Sequence, residues 1–201
     1  MLRLLVLLAF FGCSRFHVVI KEAEKGEMSV LFVGNSLTYS NNLPQLVENA
    51  AAEEGVKMKT DMLALPNYAL VDHLADGKLQ KMISTGKYDY VVVQQGPSSQ
   101  EEGRQMLLDT APVLDGLCKK SGAQLTYFMV WPSREYYHTF NGVIANYTAA
   151  AKSVNAMLCP VGKHWKEVTD TGDFSYYGFD GFHPSQKGSE LVARVIWETL
   201  K

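Results

Sequence analysis

From Met28 onward the chain alternates short, continuous apolar runs with longer stretches whose apolar residues recur at helical intervals. Ser29 to Val33 (SVLFV) is β-rich and stops at Gly34, the pattern of a strand buried on both faces. Asn41-Asn42-Leu43-Pro44 then offers a cap and an early proline. Leu43, Leu46, Val47, Ala50 and Ala51 predict a helix that Gly55 closes. Residues 56–65 read as a second, more polar strand. Residues 69–79 read as a short helix with Leu70, Val71 and Leu74 on one face. The clearest central strand is 88–95 (YDYVVVQQ), apolar until its two glutamines. A helical pattern fills 103–120, with Pro112 expected to kink or end it. Residues 124–131 (QLTYFMVW) form another strand pattern, stopped by Pro132. A long helix from Phe140 to Val154 and a short fifth strand over 157–161 follow. Leu191, Val192, Val195, Ile196 and Leu200 make the last helix amphipathic.

This alternation predicts an α/β fold, a three-layer α/β/α sandwich around a mostly parallel, flavodoxin-like sheet of about five strands. In such sheets ligands gather at the carboxyl ends of the strands. The loops to search therefore begin at Gly34, Pro66, Gly96, Pro132 and after Val161. A length of 201 residues with no low-complexity divider suits one domain, 28–201. An apolar fraction of 47% supplies a sizeable core and excludes a disordered chain. Nineteen basic against twenty-one acidic residues leave a net charge of -2, with no basic surplus for nucleic acid. The three cysteines, Cys13, Cys118 and Cys159, show no C-x-x-C spacing. H-E-x-x-H is absent, and His138 and His164 have no partner at metal-ligand spacing. Neither a metal nor a cofactor is expected.

The amino terminus reads as an address. Residues 1–12 hold one early cation, Arg3, and an apolar run from Leu4 to Phe11, which fits a signal-peptide core and is too short to span a bilayer. Gly12-Cys13 resembles the end of a bacterial lipobox, which makes Cys13 a lipidation candidate and 13–27 a tether. The expectation is export to the bacterial cell envelope, with membrane contact only through that lipid. In an oxidising compartment Cys118 and Cys159 could pair; buried free thiols are the equal alternative.

Two of the loops carry chemistry. Gly34-Asn35-Ser36-Leu37-Thr38 sets a serine just past a strand, after a glycine that permits a sharp turn. A serine hydroxyl needs an adjacent base to become a nucleophile. Asp180-Gly181-Phe182-His183-Pro184 places a carboxylate and an imidazole three residues apart before the final helix, which Pro184 is placed to open. A bond from Asp180 to one ring nitrogen would select the tautomer whose other nitrogen can take the serine proton. Taken alone, the pair reads first as a helix cap beside a solvated histidine.

Together, GNS near one end and D-x-x-H-P near the other resemble the SGNH (GDSL-like) hydrolase family across Val30 to Leu200. The resemblance implies an SGNH-type sheet and a serine esterase. Ser36 would be the nucleophile, His183 the base and then acid, and Asp180 the group orienting His183. It also implies an oxyanion hole with a backbone N–H at Ser36, a second at a glycine of the next block, and an asparagine side chain in the third. This sequence departs at both later points. Pro66-Asn67-Tyr68-Ala69-Leu70 has no glycine, so Asn67 takes its place; Asn tolerates positive φ better than most residues. Gly96-Pro97-Ser98-Ser99 replaces Gly-x-Asn-Asp, so the asparagine position falls on Ser98, with Gln94 or Gln95 as replacement amides. One missing oxyanion donor costs on the order of 10²–10³ in turnover. A rebuilt hole is the expectation.

The aromatic residues Trp131, Tyr136, Tyr137 and Tyr177 follow or precede these loops and are candidate walls for a sugar ring or an acyl chain, with core packing the equal alternative. His73, on a predicted helix with apolar neighbours, reads as a packed histidine. The resemblance implies small-molecule or polysaccharide esters, O-acetyl groups on carbohydrate first. Two other classes compete. One is a non-catalytic glycan-binding lipoprotein on the same fold, motivated by the altered middle blocks. The other is a phosphate binder using the Gly34–Thr38 loop, which leaves Asp180 and His183 without a role.

Overall fold

A computed structural model describes residues 26–201. The expected leader over 1–12, Cys13 and the expected tether up to residue 25 lie outside the described residues. Five strands, β1 (Met28–Gly34), β2 (Met58–Ala64), β3 (Tyr90–Val93), β4 (Gln124–Phe128) and β5 (Met157–Cys159), form one sheet in the order β2-β1-β3-β4-β5. Every pairing is parallel. The helices are α1 (Ser36–Tyr39), α2 (Leu43–Glu53), α3 (Leu70–Asp76), α4 (Lys78–Thr85), α5 (Glu101–Ser121), α6 (Phe140–Ser153), α7 (Val161–Asp170) and α8 (Gln186–Leu200). Side-by-side packing of α2 with α8, and of α4 with α5 and α5 with α6, puts helices on both faces. That is what right-handed crossovers from this strand order require. The expected sandwich is therefore the observed one.

Burial on both faces explains the continuous apolar runs of β1 and β3, whose Val30 to Val33 and Val91 to Val93 are wholly buried. β2 is an edge strand and correspondingly more polar. There Glu48 Oε1 accepts the Thr60 backbone N–H and its hydroxyl, both at 2.7 Å, which occupies part of the open edge. The order reverses between β1 and β3, since the chain leaves β1 toward β2 and later returns past it. In this topology the crevice at the carboxyl ends of those two strands is the usual ligand position.

Several sequence expectations shift. The single helix over 69–79 is two, because Gly77 takes φ 76° and breaks the axis between α3 and α4. Pairing in β4 ends at Phe128, and Met129 to Trp131 continue buried without a ladder partner on both sides. Pro112 ends nothing. α5 runs through it, with Pro112 on the exposed face, where water can serve the carbonyl its ring leaves without a donor. Pro184 does not open α8, since Ser185 is the cap and its Oγ accepts the Gly188 N–H at 3.1 Å. The sequence pattern announces no helix after the fifth strand, yet α7 forms there, its buried residues Val161, Trp165 and Thr169 standing four apart. Cys118 and Cys159 are free and buried, and burial pushes each thiol up to about 12, which keeps both unreactive.

Candidate active site

At the end of β1, Gly34 leads into Asn35, whose Oδ1 accepts the Leu37 N–H at 3.2 Å and so starts α1. Ser36 is the first residue of that helix. Only glycine fits at 34. A Cβ there would lie 2.5 Å from Thr38 Oγ1 and 2.6 Å from Gln94 Oε1. Both neighbours are buried, with no solvent to swing into, and the Gln94 amide is held by Asn35 Oδ1 at 2.9 Å. Gly34→Ala is therefore expected to overpack the turn by about 1–3 kcal/mol and to displace Ser36. A lowered melting temperature together with slower reaction at Ser36 checks it.

His183 comes from a loop braced on several sides. Gly178 N–H donates to His183 O at 2.7 Å and Ser185 N–H to Tyr176 O at 2.8 Å, around a bridge between Tyr177 and Pro184. Trp131 Nε1–H donates to Phe182 O at 3.0 Å, and Arg134 N–H to Gly181 O at 2.8 Å. Gly181 takes φ 67°, the left-handed turn that reverses the chain between Asp180 and Phe182. A further tie comes from the serine side: Asn41 Nδ2 donates to Pro184 O at 3.1 Å and to Ser189 Oγ at 2.9 Å. This amide joins the segment carrying Ser36 to the one carrying His183.

The three predicted catalytic side chains meet. His183 Nε2 lies 2.8 Å from Ser36 Oγ, and His183 Nδ1 lies 2.5 Å from Asp180 Oδ2. The other carboxylate oxygen, Oδ1, accepts the backbone N–H groups of Phe182 and His183, both at 2.9 Å. Burial raises the Asp180 pKa. The His183 hydrogen bond and the two backbone donors outweigh it, so the carboxyl ends up below its ordinary value. An ionised Asp180 accepts the Nδ1 proton, which leaves Nε2 as an acceptor facing the serine hydroxyl. Such an arrangement can move a proton from Ser36 to His183 as the serine attacks.

The remaining predicted residues divide. Asn67 takes φ 61° in a turn closed by the Tyr68 N–H on Leu65 O at 3.3 Å, the conformation expected of a residue standing in for glycine. Gln95 is turned inward, its Nε2 donating to Ser98 Oγ at 2.7 Å and Gly103 O at 3.3 Å. Ser98 Oγ in turn donates to Gly96 O at 3.0 Å. Gln94 is wholly buried, with its amide on Asn35. In this arrangement Gln94, Gln95 and Ser98 give their hydrogens to the interior. The reason is local: α6 clamps this loop through Tyr147 and Asn146, and the two glutamines fill the space beneath it.

Of the aromatic residues, Trp131 is wholly buried and stacked on Trp165 at 3.7 Å, and Tyr177 is buried with its hydroxyl on Pro132 O at 2.9 Å. Both are core, contrary to the expectation of a substrate wall, because their polar tips are needed to hold the His183 loop. Tyr137 packs on Phe140 and Phe174 and gives its hydroxyl to Asp170. Tyr136 is 56% exposed and lines a cleft of about 480 Å³ together with Pro97, Ser99, Pro132 and Phe182. Phe182 is the residue that sequence reading passed over, although it directly precedes His183 and packs edge-on against it at 5.1 Å. A larger concavity of about 760 Å³ lies at the opposite, amino ends of the strands, around Met28, Asp89 and Gln124, far from these groups along the strands.

No protein-family model matches the chain and no curated protein matches it. Solved structures do. A protein from Slackia heliotrinireducens described as a candidate SGNH hydrolase is 24% identical, at a TM-score of 0.74, over 87% of this chain and 100% of its own. A lipase/acylhydrolase from Enterococcus faecalis is 17% identical at a TM-score of 0.67, over 85% of this chain and 94% of its own. An acetylxylan esterase from Geobacillus stearothermophilus is 14% identical at a TM-score of 0.67, over 86% and 94%. The chain has the SGNH-hydrolase fold, and its structural neighbours include esterases and lipases.

Proposed function

We propose that the protein is a serine esterase that works through an acyl-enzyme, with O-acetyl groups on carbohydrate as its leading substrate class. The observation that carries this reading is the chain of contacts from Asp180 through His183 to Ser36, at 2.5 and 2.8 Å. Ser36 Oγ attacks the ester carbonyl while His183 Nε2 takes its proton. The carbonyl oxygen becomes an oxyanion facing the backbone N–H groups of Ser36 and Asn67. His183 then protonates the leaving alkoxide, and afterwards removes a proton from the water that splits the acyl-enzyme. With Gln94, Gln95 and Ser98 spent internally, this hole relies on main-chain donors.

Flat faces from Tyr136, Phe182 and the two prolines, with the Ser99 hydroxyl among them, suit a sugar ring beside the scissile ester. The acetylxylan esterase among the neighbours supports the same substrate class. The leader-like residues 1–12 and Cys13 support a place in the bacterial cell envelope. The test is acetate release from acetylated xylo-oligosaccharides and hydrolysis of p-nitrophenyl acetate, with a fluorophosphonate mapped to its site of attachment. Turnover with label on Ser36 is expected; no turnover and no label would remove the proposal. In the same assay, Tyr136→Ala is expected to raise KM for the oligosaccharide about three- to tenfold, an aromatic contact of roughly 0.5–1.5 kcal/mol. Its kcat/KM on p-nitrophenyl acetate should stay as in wild type.

A further inference from the structure

His73 sits on α3, is 1% exposed, and takes no part in the proton path above. Its Nε2 lies 2.8 Å from the carbonyl oxygen of Gly34, the residue that leads into the serine turn. A carbonyl only accepts, so Nε2 carries the ring proton and Nδ1 is bare. That Nδ1 is buried and has no partner among the described residues. Burial is the main influence on this imidazole and holds its pKa below the ordinary value, in keeping with a neutral ring. Gly34 O does not need the histidine, because it already accepts the Leu65 N–H at 3.1 Å. A leucine of similar volume would spare the orphaned nitrogen, so packing alone does not account for the residue.

What the contact does is join two loops. The His73 ring packs against Tyr68 at 5.0 Å, and Tyr68 O accepts Asn35 Nδ2 at 3.1 Å. Tyr68 adjoins Asn67 and Asn35 adjoins Ser36. The residues flanking the two main-chain donors are thus braced against each other through His73, Tyr68, Asn35 and Gly34. We propose that His73 is a positioning residue of the oxyanion hole, fixing the spacing between the backbone N–H groups of Ser36 and Asn67 by its bond to Gly34 O and its contact with Tyr68. This rests on the esterase reading for the purpose of the hole, while the brace itself does not.

The experiment compares His73→Phe, which keeps an aromatic ring against Tyr68, slightly larger, and loses the donor, with His73→Gln, whose amide nitrogen reaches near the place of Nε2. On p-nitrophenyl acetate H73F should lower kcat about ten- to a hundredfold, part of the effect of losing a whole donor. KM should stay within about twofold and the melting temperature should not fall by more than a few degrees. H73Q should recover most of the lost kcat. An unchanged kcat in H73F, or equal losses in H73F and H73Q, would overturn the proposal. If H73F does not fold, His73→Leu repeats the comparison. If wild type hydrolyses no ester, the functional reading fails separately. The amide chemical shifts of Ser36 and Asn67 then decide: both move in H73F and return in H73Q if the brace is real, and stay put if it is not.

Discussion

Ser36→Ala is expected to lower kcat on p-nitrophenyl acetate by roughly 10⁴-fold or more, leaving the residual rate that binding and main-chain donors can supply. Ser36 Oγ is the atom that faces His183 Nε2, and neither described thiol can replace it, since Cys118 and Cys159 are buried. Stability should hardly change. Ser36 is only half-buried, and Asp180 still holds His183 from the other side when the hydroxyl is gone. Fluorophosphonate labelling should vanish along with turnover. A variant keeping more than a tenth of the wild-type rate would mean that another group attacks the ester. The glycan-binding alternative predicts instead that Ser36→Ala keeps its ligand affinity and that there is no turnover to lose, which calorimetry with acetylated and deacetylated oligosaccharide beside the activity assay would reveal. The esterase reading predicts a preference for the acetylated one.

Much of this could be read in the chain because it depends on local chemistry. Continuous runs such as SVLFV and YVVV announce strands buried on two faces, whereas the serine and histidine stretches are legible only as a pair, through the resemblance they carry together. Asn67 could be placed because it falls where the resemblance puts a glycine, and asparagine tolerates positive φ better than most residues. What failed depended on contacts far along the sequence. Trp131 and Tyr177 follow or precede the right loops, yet a tryptophan stack on Trp165 and a hydroxyl bond to Pro132 O turn them inward. Nothing in the order of residues says whether Gln95 faces a ligand or Gly103 O. His73 shows the same limit in reverse. Its burial follows from its apolar neighbours, but its bond to Gly34, 39 residues away, exists only once β1 and α3 have met.

Asp180→Asn is expected to cost about as much as the loss of the serine, roughly 10⁴-fold in kcat at neutral pH, with almost no change in geometry. The reason lies in how the carboxylate is held. Oδ1 accepts two backbone N–H groups, so an asparagine must keep its carbonyl oxygen there and turn its NH₂ toward His183 Nδ1. A donor facing Nδ1 forces that nitrogen to accept, and the ring proton moves to Nε2. Nε2 then donates to Ser36 Oγ and cannot take its proton. The amide has no freedom to flip out of this, because its nitrogen would meet two N–H donors. Imidazole ¹⁵N shifts should report Nδ1–H in wild type and Nε2–H in D180N, while the melting temperature at neutral pH moves little for so exposed a side chain. The small difference in stability should shrink in acid. The folded carboxyl lies below its ordinary value, so its contribution to stability is present above the unfolded pKa and disappears as pH falls through the folded one. D180N lacks that contribution at every pH, and its stability curve should converge on the wild-type curve at the acid end. A variant with wild-type kcat, or one whose imidazole keeps the proton on Nδ1, would show that Asp180 does not set the tautomer.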